Sequence, residues 1–506
     1  MPEARTWLPD WSHYPEQLTP LSATVWLEAV GLGIHEAMQT LRGPFGGFDA
    51  RIDGGWAYEG EWDVEWEPVP GAVADAGREL PERWERELRP RSEEITTELR
   101  RLRPERPDRA GALGSFDRMW EIVREQWTIH FLAVLPAQAL MYETVERLVA
   151  SGVPDELAAY GVLDGPNDST EADAMVENLA RRAAELGLGE VVTEYPPRLA
   201  LERLAELEDG REWLGDLRGY LARFGGRSRL HELSLPREAE QPWMTLDAIR
   251  LLFEAGRPRN VPAPAASPAA VPPDLEAMLP AARFCYALKE SHVYHLDYPG
   301  LQATREALLG FGRRLLAEGT LERLDDVWML RRAEVRGALA GEVDSPGVAD
   351  LIEAAREEHA RGAREGPKPF LGEPPADTER EGFLATFYGG RDGEASGGSL
   401  RGTPASSGIG IGPARIVRDG ADLGRVRAGD VLVAATTTPA WTPLFGALAG
   451  LVTETGGVLS HAAIVAREYG LPAVVGAAGA TSGLRDGARI RVDGTAGTVE
   501  PAGDVG

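Results

Sequence analysis

Thr453–Gly476 reads TETGGVLSHAAIVAREYGLPAVVG, and its layout decides the fold of the C-terminal part. A β-branched run ends at Thr455 and two glycines follow. Ser460 and His461 then open a run of good helix formers, which Gly470, Leu471 and Pro472 stop. A histidine at such a helix start is placed to carry a phosphoryl group. Neutral imidazole is a good nucleophile toward phosphorus near its ordinary pKa of about 6.5. The anionic product needs donors, and a helix N-terminus offers free N–H groups and a favourable dipole. Gly456 and Gly457 let the backbone approach a phosphate closely. Ser460 is placed to cap the helix or bind the phosphate, and Arg467 is the candidate cation on the same helix. Taken by itself, the histidine has a bland alternative, a ring satisfied by a backbone carbonyl.

Outward from this stretch the pattern is β-rich. Ala414–Val417, Asp430–Ala434, Leu451–Thr453, Ala473–Val475 and Arg489–Asp493 are short apolar runs punctuated by Gly and Pro. A short helix is expected over about Ser460–Tyr469, in a β-rich domain with one or more helices. Gly408, Gly410 and Gly412 superficially suggest a dinucleotide loop. Pro413 and a β-branched run follow them instead of a helix, so they read as a glycine-rich turn.

The segment around His461 resembles the phosphohistidine signature of the phosphoenolpyruvate-utilising family, which includes rifampicin phosphotransferase. The resemblance extends to GTPASSGIGIGPARIV (Gly402–Val417), GDVLVAATTTPAWTPLF (Gly429–Phe445) and VDGTAGTVEP (Val492–Pro501). It implies that residues 401–506 form a β/β/α phosphohistidine swivel domain with His461 as carrier. The family often has Thr-Ser-His where this chain has Leu459, Ser460 and His461.

Residues 1–362 read as a mainly α-helical substrate-binding domain. Residues 1–70 are rich in tryptophan and turn residues. Helical periodicity then marks Ser92–Leu102, Met175–Leu186, Asp274–Glu290, Leu301–Glu318 and Val348–Arg361. A Pro/Ala-rich loop covers 256–273, and residues 363–400 read as a linker rich in Gly, Pro, Ser and charge. Weaker resemblance to the substrate domain of rifampicin phosphotransferase-like proteins lies in YPEQLTPLSATVW (Tyr14–Trp26), YLARFGGRSRLHELSLP (Tyr220–Pro236), Arg283–Pro299 and GFGRRLLAEGTLERLDDVWML (Gly310–Leu330). In the second, Gly226 replaces a family histidine, while Arg227 and Glu232 remain.

The candidate acceptor site is ALKESHVYHLDYP (Ala287–Pro299). Attack on phosphohistidine needs a base for the hydroxyl proton and a cation for the moving charge. Glu290, His292 and His295 are candidate bases, Lys289 is the candidate cation, and Arg227, His295 and Asp297 are candidate substrate ligands. Lys289 and Glu290 are adjacent and are not expected to share a helix face. His292-x-x-His295 with Asp297 resembles a metal spacing but lacks further ligands, so no metal site is expected. His13, His35, His130, His231 and His359 stand alone in sequence and read as structural or exposed. Trp56, Trp62 and Trp66 read as packing or pocket lining.

Composition narrows the partners. The 506 residues carry a net charge of -27, from 53 basic and 80 acidic side chains. Residues 401–506 are neutral, so the whole excess sits in residues 1–400. Such a surface argues against nucleic acid and anionic membrane as partners. The single cysteine, Cys285, allows no internal disulfide and fits a reducing cytoplasm. Neither lysine, Lys289 nor Lys368, follows a glycine, so there is no Gly-Lys-Ser/Thr phosphate loop. No ATP-grasp or phosphoenolpyruvate-barrel pattern is found. The resemblance therefore implies a split, dikinase-like phosphotransferase. On that resemblance it is expected to bind no cofactor firmly, to receive its phosphoryl group from a separate ATP-grasp protein with ATP and Mg, and to pass it to a small-molecule hydroxyl. The alternatives are a lyase or dehydratase using the same pocket without phosphohistidine, and a non-enzymatic phosphocarrier or regulator.

Overall fold

The computed structural model describes residues 5–10, 13–102, 104, 108–153, 167–228, 232–255, 271, 273–374, 399–418 and 420–502. Most of the Pro/Ala-rich loop, residues 375–398 of the linker reading, and Arg229–His231 lie outside them. The helix Ser345–Glu365 reaches into the linker reading, and Leu371–Gly372 pair with Thr6–Trp7 as a strand.

The N-terminal part is built along one 42-residue helix, Arg109–Ala150, against which Gly31–Leu41, Ala72–Arg83 and Leu279–His292 pack. The apolar run Phe131–Tyr142 lies inside this helix, with Pro136 in its middle. Gly77 lets the neighbouring helix approach there, since a Cβ would stand 2.5 Å from the Pro136 carbonyl oxygen. No helix among the described residues is long and apolar enough to cross a membrane.

Residues 1–70 hold more order than their turn-rich composition suggests. Phe48–Asp53 and Trp56–Glu61 form a hairpin, and Thr6–Pro9 extends it. Gly54 and Gly55, both at positive φ, supply the two-residue turn that antiparallel strands favour.

Cys285 lies on Leu279–His292, fully buried, with its Sγ 3.5 Å from the Gly77 carbonyl oxygen. Burial pushes its thiol up to about 12. The native protein is therefore expected to ignore a disulfide reagent at neutral pH and to titrate one thiol once unfolded.

A second helical group, Asp168–Glu185, Gly189–Glu194, Pro197–Glu206, Glu208–Phe224 and Trp243–Ala255, does not share the main core. Its apolar face, with Trp213, Tyr220 and Leu246, is continuous with Phe445 and Tyr469 of the C-terminal domain.

The C-terminal domain is an eight-stranded sheet. Its order is Leu400–Arg401, Thr498–Pro501, Arg489–Asp493, Ile409–Val417, Val431–Ala434, Gly450–Thr453, Ala473–Val475 and Thr403–Ser406. The four strands from Ile409–Val417 to Ala473–Val475 are parallel. Alternate side chains enter two cores. Leu432, Leu451 and Val475 face the helix side, and Val431, Val433, Val452 and Val474 face the other. Burial on both faces is why these strands read as unbroken apolar runs.

Gly410 and Gly412 lie within a strand, which corrects the expectation of a turn. A Cβ on Gly410 would stand 2.0 Å from the Ala449 carbonyl oxygen, and one on Gly412 would stand 2.2 Å from that of Gly429. Gly410→Ala is expected to cost about 3 kcal/mol. A thermal melt would show this as a lower midpoint for the C-terminal domain.

Candidate active site

The helix His461–Tyr469 starts at the strand edge. The Ser460 hydroxyl caps it by accepting from the Ala463 N–H, and Gly470 ends it in the left-handed conformation. Gly456 holds φ 111°, and the turn closes through the Ser460 N–H to the Gly457 carbonyl. His461 faces the N-terminal part. Its Nδ1 lies 2.6 Å from Glu290 Oε2, and its Nε2 lies 3.4 Å from the Thr442 hydroxyl.

Glu290 is 2% exposed. Burial alone would raise its pKa, but the charge and hydrogen bond of His461, with Lys289 and His292, bring it down to about 2. Lys289 Nζ is 3.6 Å from Glu290 Oε1, so these neighbours do meet, contrary to the helix-face argument. A carboxylate held below its unfolded value of about 4.5 adds stability that is complete above pH 4.5 and lost as pH falls toward 2. The difference is worth about 3 kcal/mol. Melts of Glu290→Gln are expected to fall less steeply than wild type across that window.

These residues border a cavity of about 250 Å³ with walls from both parts of the chain. One side carries Lys289, Glu290, His292 and Asp297. The other carries Thr436–Thr438, Gly456, Ser460 and His461. Tyr14, Trp26, Phe48, Trp127 and Phe131 supply aromatic walls. The cavity tryptophans are thus Trp26 and Trp127. Trp56 and Trp66 instead donate to the backbone at Gly362 and Gly43, and Trp62 packs on His35.

A widened turn of helix, with i→i+5 hydrogen bonds over Val293–Asp297, shapes the acceptor side. It brings His292 and Asp297, five residues apart, within 3.6 Å of each other. It also turns His295 away. His295 bonds Asp168 at 3.2 Å and packs on Trp84, outside the cavity. His292 donates Nδ1–H to the Lys289 carbonyl at 2.5 Å. Burial first, and then His130 and Lys289, outweigh the pull of Asp297 and bring its pKa down to about 4, so the ring is neutral near pH 7.

Arg227 does not line the cavity either. It is fully buried, with its guanidinium on the Tyr220 hydroxyl (3.0 Å), Asp173 (3.5 Å) and the Pro439 carbonyl of the C-terminal domain (2.5 Å). Tyr469 donates to Asp173 across the same seam at 2.8 Å. Arg467 donates to the Val458 and Ala405 carbonyls and braces the loop ahead of His461. Glu232 accepts from Thr19 and Ser22.

Three groups of cavity residues escaped the sequence reading. His130 bonds Asp297 at 2.7 Å, and His13 bonds Asp10 at 3.1 Å; neither stands alone. Thr436–Thr438 lie on the rim. No spacing could join these, because His13, His130 and Asp297 come from three distant segments. The threonine run itself was the one visible signal.

Residues 426–497 match the mobile domain of PEP-utilising enzymes, and residues 130–277 match the rifampicin phosphotransferase fourth domain. A chondramide synthase of Chondromyces crocatus is 29% identical over 97% of this chain and 14% of its own length. An uncharacterised phosphotransferase of Bacillus subtilis is 28% identical, covering 77% of this chain and 49% of that protein. A rifampicin phosphotransferase of Streptomyces sviceus is 32% identical, covering 59% and 36%. The chain therefore spans less than half the length of each of these relatives. The chain thus carries a C-terminal domain of the PEP-utilising mobile type, docked by its histidine onto a helical part that includes a stretch of rifampicin phosphotransferase fourth-domain type.

Proposed function

We propose that this protein is a phosphotransferase in which His461 takes a phosphoryl group from a separate ATP-grasp protein and delivers it to a small-molecule hydroxyl in the shared cavity. The observation that carries the reading is the 2.6 Å contact of His461 Nδ1 with Glu290. A carboxylate there holds the proton on Nδ1 and leaves the lone pair on Nε2.

Charging forms an Nε2–P bond as the phosphoryl group leaves ATP. Transfer breaks that bond while an O–P bond forms to the acceptor, and the hydroxyl proton passes by way of the cavity's neutral groups to water. Lys289 offsets charge on the moving group. The Ser460 hydroxyl and the helix N-terminus supply donors, and Thr436–Thr438 add hydroxyls on the same rim. Glu290 is engaged by His461 and His295 lies outside the cavity, so His292 is left of the three candidate bases. The aromatic walls favour an acceptor with an apolar body. Arg227 acts in docking the carrier domain. ATP and Mg belong to the partner, and the acceptor is a metabolite-sized molecule.

Intact-mass measurement with ATP and a candidate ATP-grasp protein tests the reading. An acid-labile gain of one phosphoryl group that needs the partner supports it. No gain with any donor would return the cavity to chemistry without phosphohistidine.

A further inference from the structure

Asp297 lies between two histidines from different segments. His130 Nδ1 is 2.7 Å from Oδ1, and His292 Nε2 is 3.6 Å from Oδ2. The two rings stand 5.1 Å apart, and all three residues line the cavity. The three ligand atoms fall within 4.8 Å of one another.

The hydrogen bonding of His292 is informative. A neutral imidazole has one N–H, and His292 gives it to the Lys289 carbonyl. Its Nε2 is then the ring atom turned toward the Asp297 carboxylate inside the cavity. A cation between them would be ligated by both. Metal-bound histidines show this same arrangement, with the outer N–H on a carbonyl or carboxylate and the inner nitrogen on the ion. Bonds of about 2 Å from zinc to nitrogen and oxygen span donor separations up to about 4 Å, so 3.6 Å needs little adjustment and 2.7 Å must open slightly. Lys289 is the nearby competing positive charge, and it is paired with Glu290.

We propose that His130, His292 and Asp297 bind one divalent transition-metal ion of the zinc class, with a coordination position open to the cavity. Two imidazoles and one carboxylate match the donor set of catalytic rather than closed structural zinc sites. The use of the ion rests on the reading of His461 as carrier; its binding does not. An acceptor hydroxyl on the open position loses its proton to water more readily, and its oxygen attacks phosphorus as the P–Nε2 bond breaks. In that role the metal replaces a general base, and His292 becomes a ligand.

The test is titration of the chelator-treated full-length chain with Zn²⁺ by calorimetry and with Co²⁺ by visible absorption. One ion per chain with tetrahedral-type cobalt bands is expected. His130→Ala and His292→Ala should each weaken binding at least a hundredfold, and Asp297→Asn should also weaken it. His13→Ala, in the adjacent Asp10–His13–Glu59 cluster, should leave it unchanged. Absence of binding overturns the proposal, as does binding that survives both histidine changes or is lost only with His13. Circular dichroism of metal-free variants guards against misfolding, and His130→Asn serves if the alanine variant fails to fold. Phosphoryl uptake measured on the same samples separates the two ideas. Binding without uptake sinks the carrier reading alone, and uptake without binding sinks the metal site alone.

Discussion

His461→Ala is expected to abolish acid-labile phosphoryl uptake and reduce transfer to any acceptor to background, with the fold intact. His461 is only partly buried, with 16% of its side chain exposed, and the helix it opens is capped by Ser460 rather than by the imidazole. The alanine variant should therefore melt close to wild type, which removes misfolding as an explanation. Intact mass before and after acid treatment, beside a thermal melt, reads both halves. Retained uptake in the variant would place the phosphoryl group elsewhere.

Glu290→Gln is expected to lengthen the life of the phosphorylated protein while leaving its charging largely intact. Glu290 and His461 come from different domains, so their contact exists only in the docked arrangement seen here. Transfer from Nε2 is easier when the departing imidazole keeps a proton on Nδ1. An ionised carboxylate at 2.6 Å keeps it there, whereas the neutral amide, nearly the same in shape, holds it less firmly. Such an orienting carboxylate is worth roughly 10²–10⁴ in rate. The decay of isolated phosphoprotein, followed by loss of acid-labile phosphate, gives the measurement. An unchanged half-life would reduce Glu290 to a packing residue.

The C-terminal fold was legible because its physics is local. Strands buried on both faces show as Val431–Ala434 and Ala473–Val475, and the helix at His461 is bounded by its own cap and stop. The acceptor side was legible only in part. Lys289, Glu290, His292 and Asp297 share one short segment and do line the cavity. His295 sits in the same segment, yet the local i→i+5 winding directs it to Asp168, and sequence spacing assumes ordinary α-helix. His13 and His130 were missed because their partners are tertiary. The hairpin at Gly54–Gly55 was missed because its flanking strands mix charge with aromatic residues and lack clean alternation.

The cavity has one wall on each domain, and this couples occupancy to motion. A molecule gripped by Trp26 and Trp127 on one side and by Thr436–Thr438 on the other binds the docked pair more tightly than the separated pair. By linkage, a bound acceptor must lengthen the time the carrier spends docked, by the factor through which docking tightens its own binding. Under the proposed function, an arm that recharges elsewhere would then be withheld from its donor while the acceptor is seated. In the proposed cycle the order of steps would follow from the shared walls, and a well-fitting product would act as a brake on the next charging event.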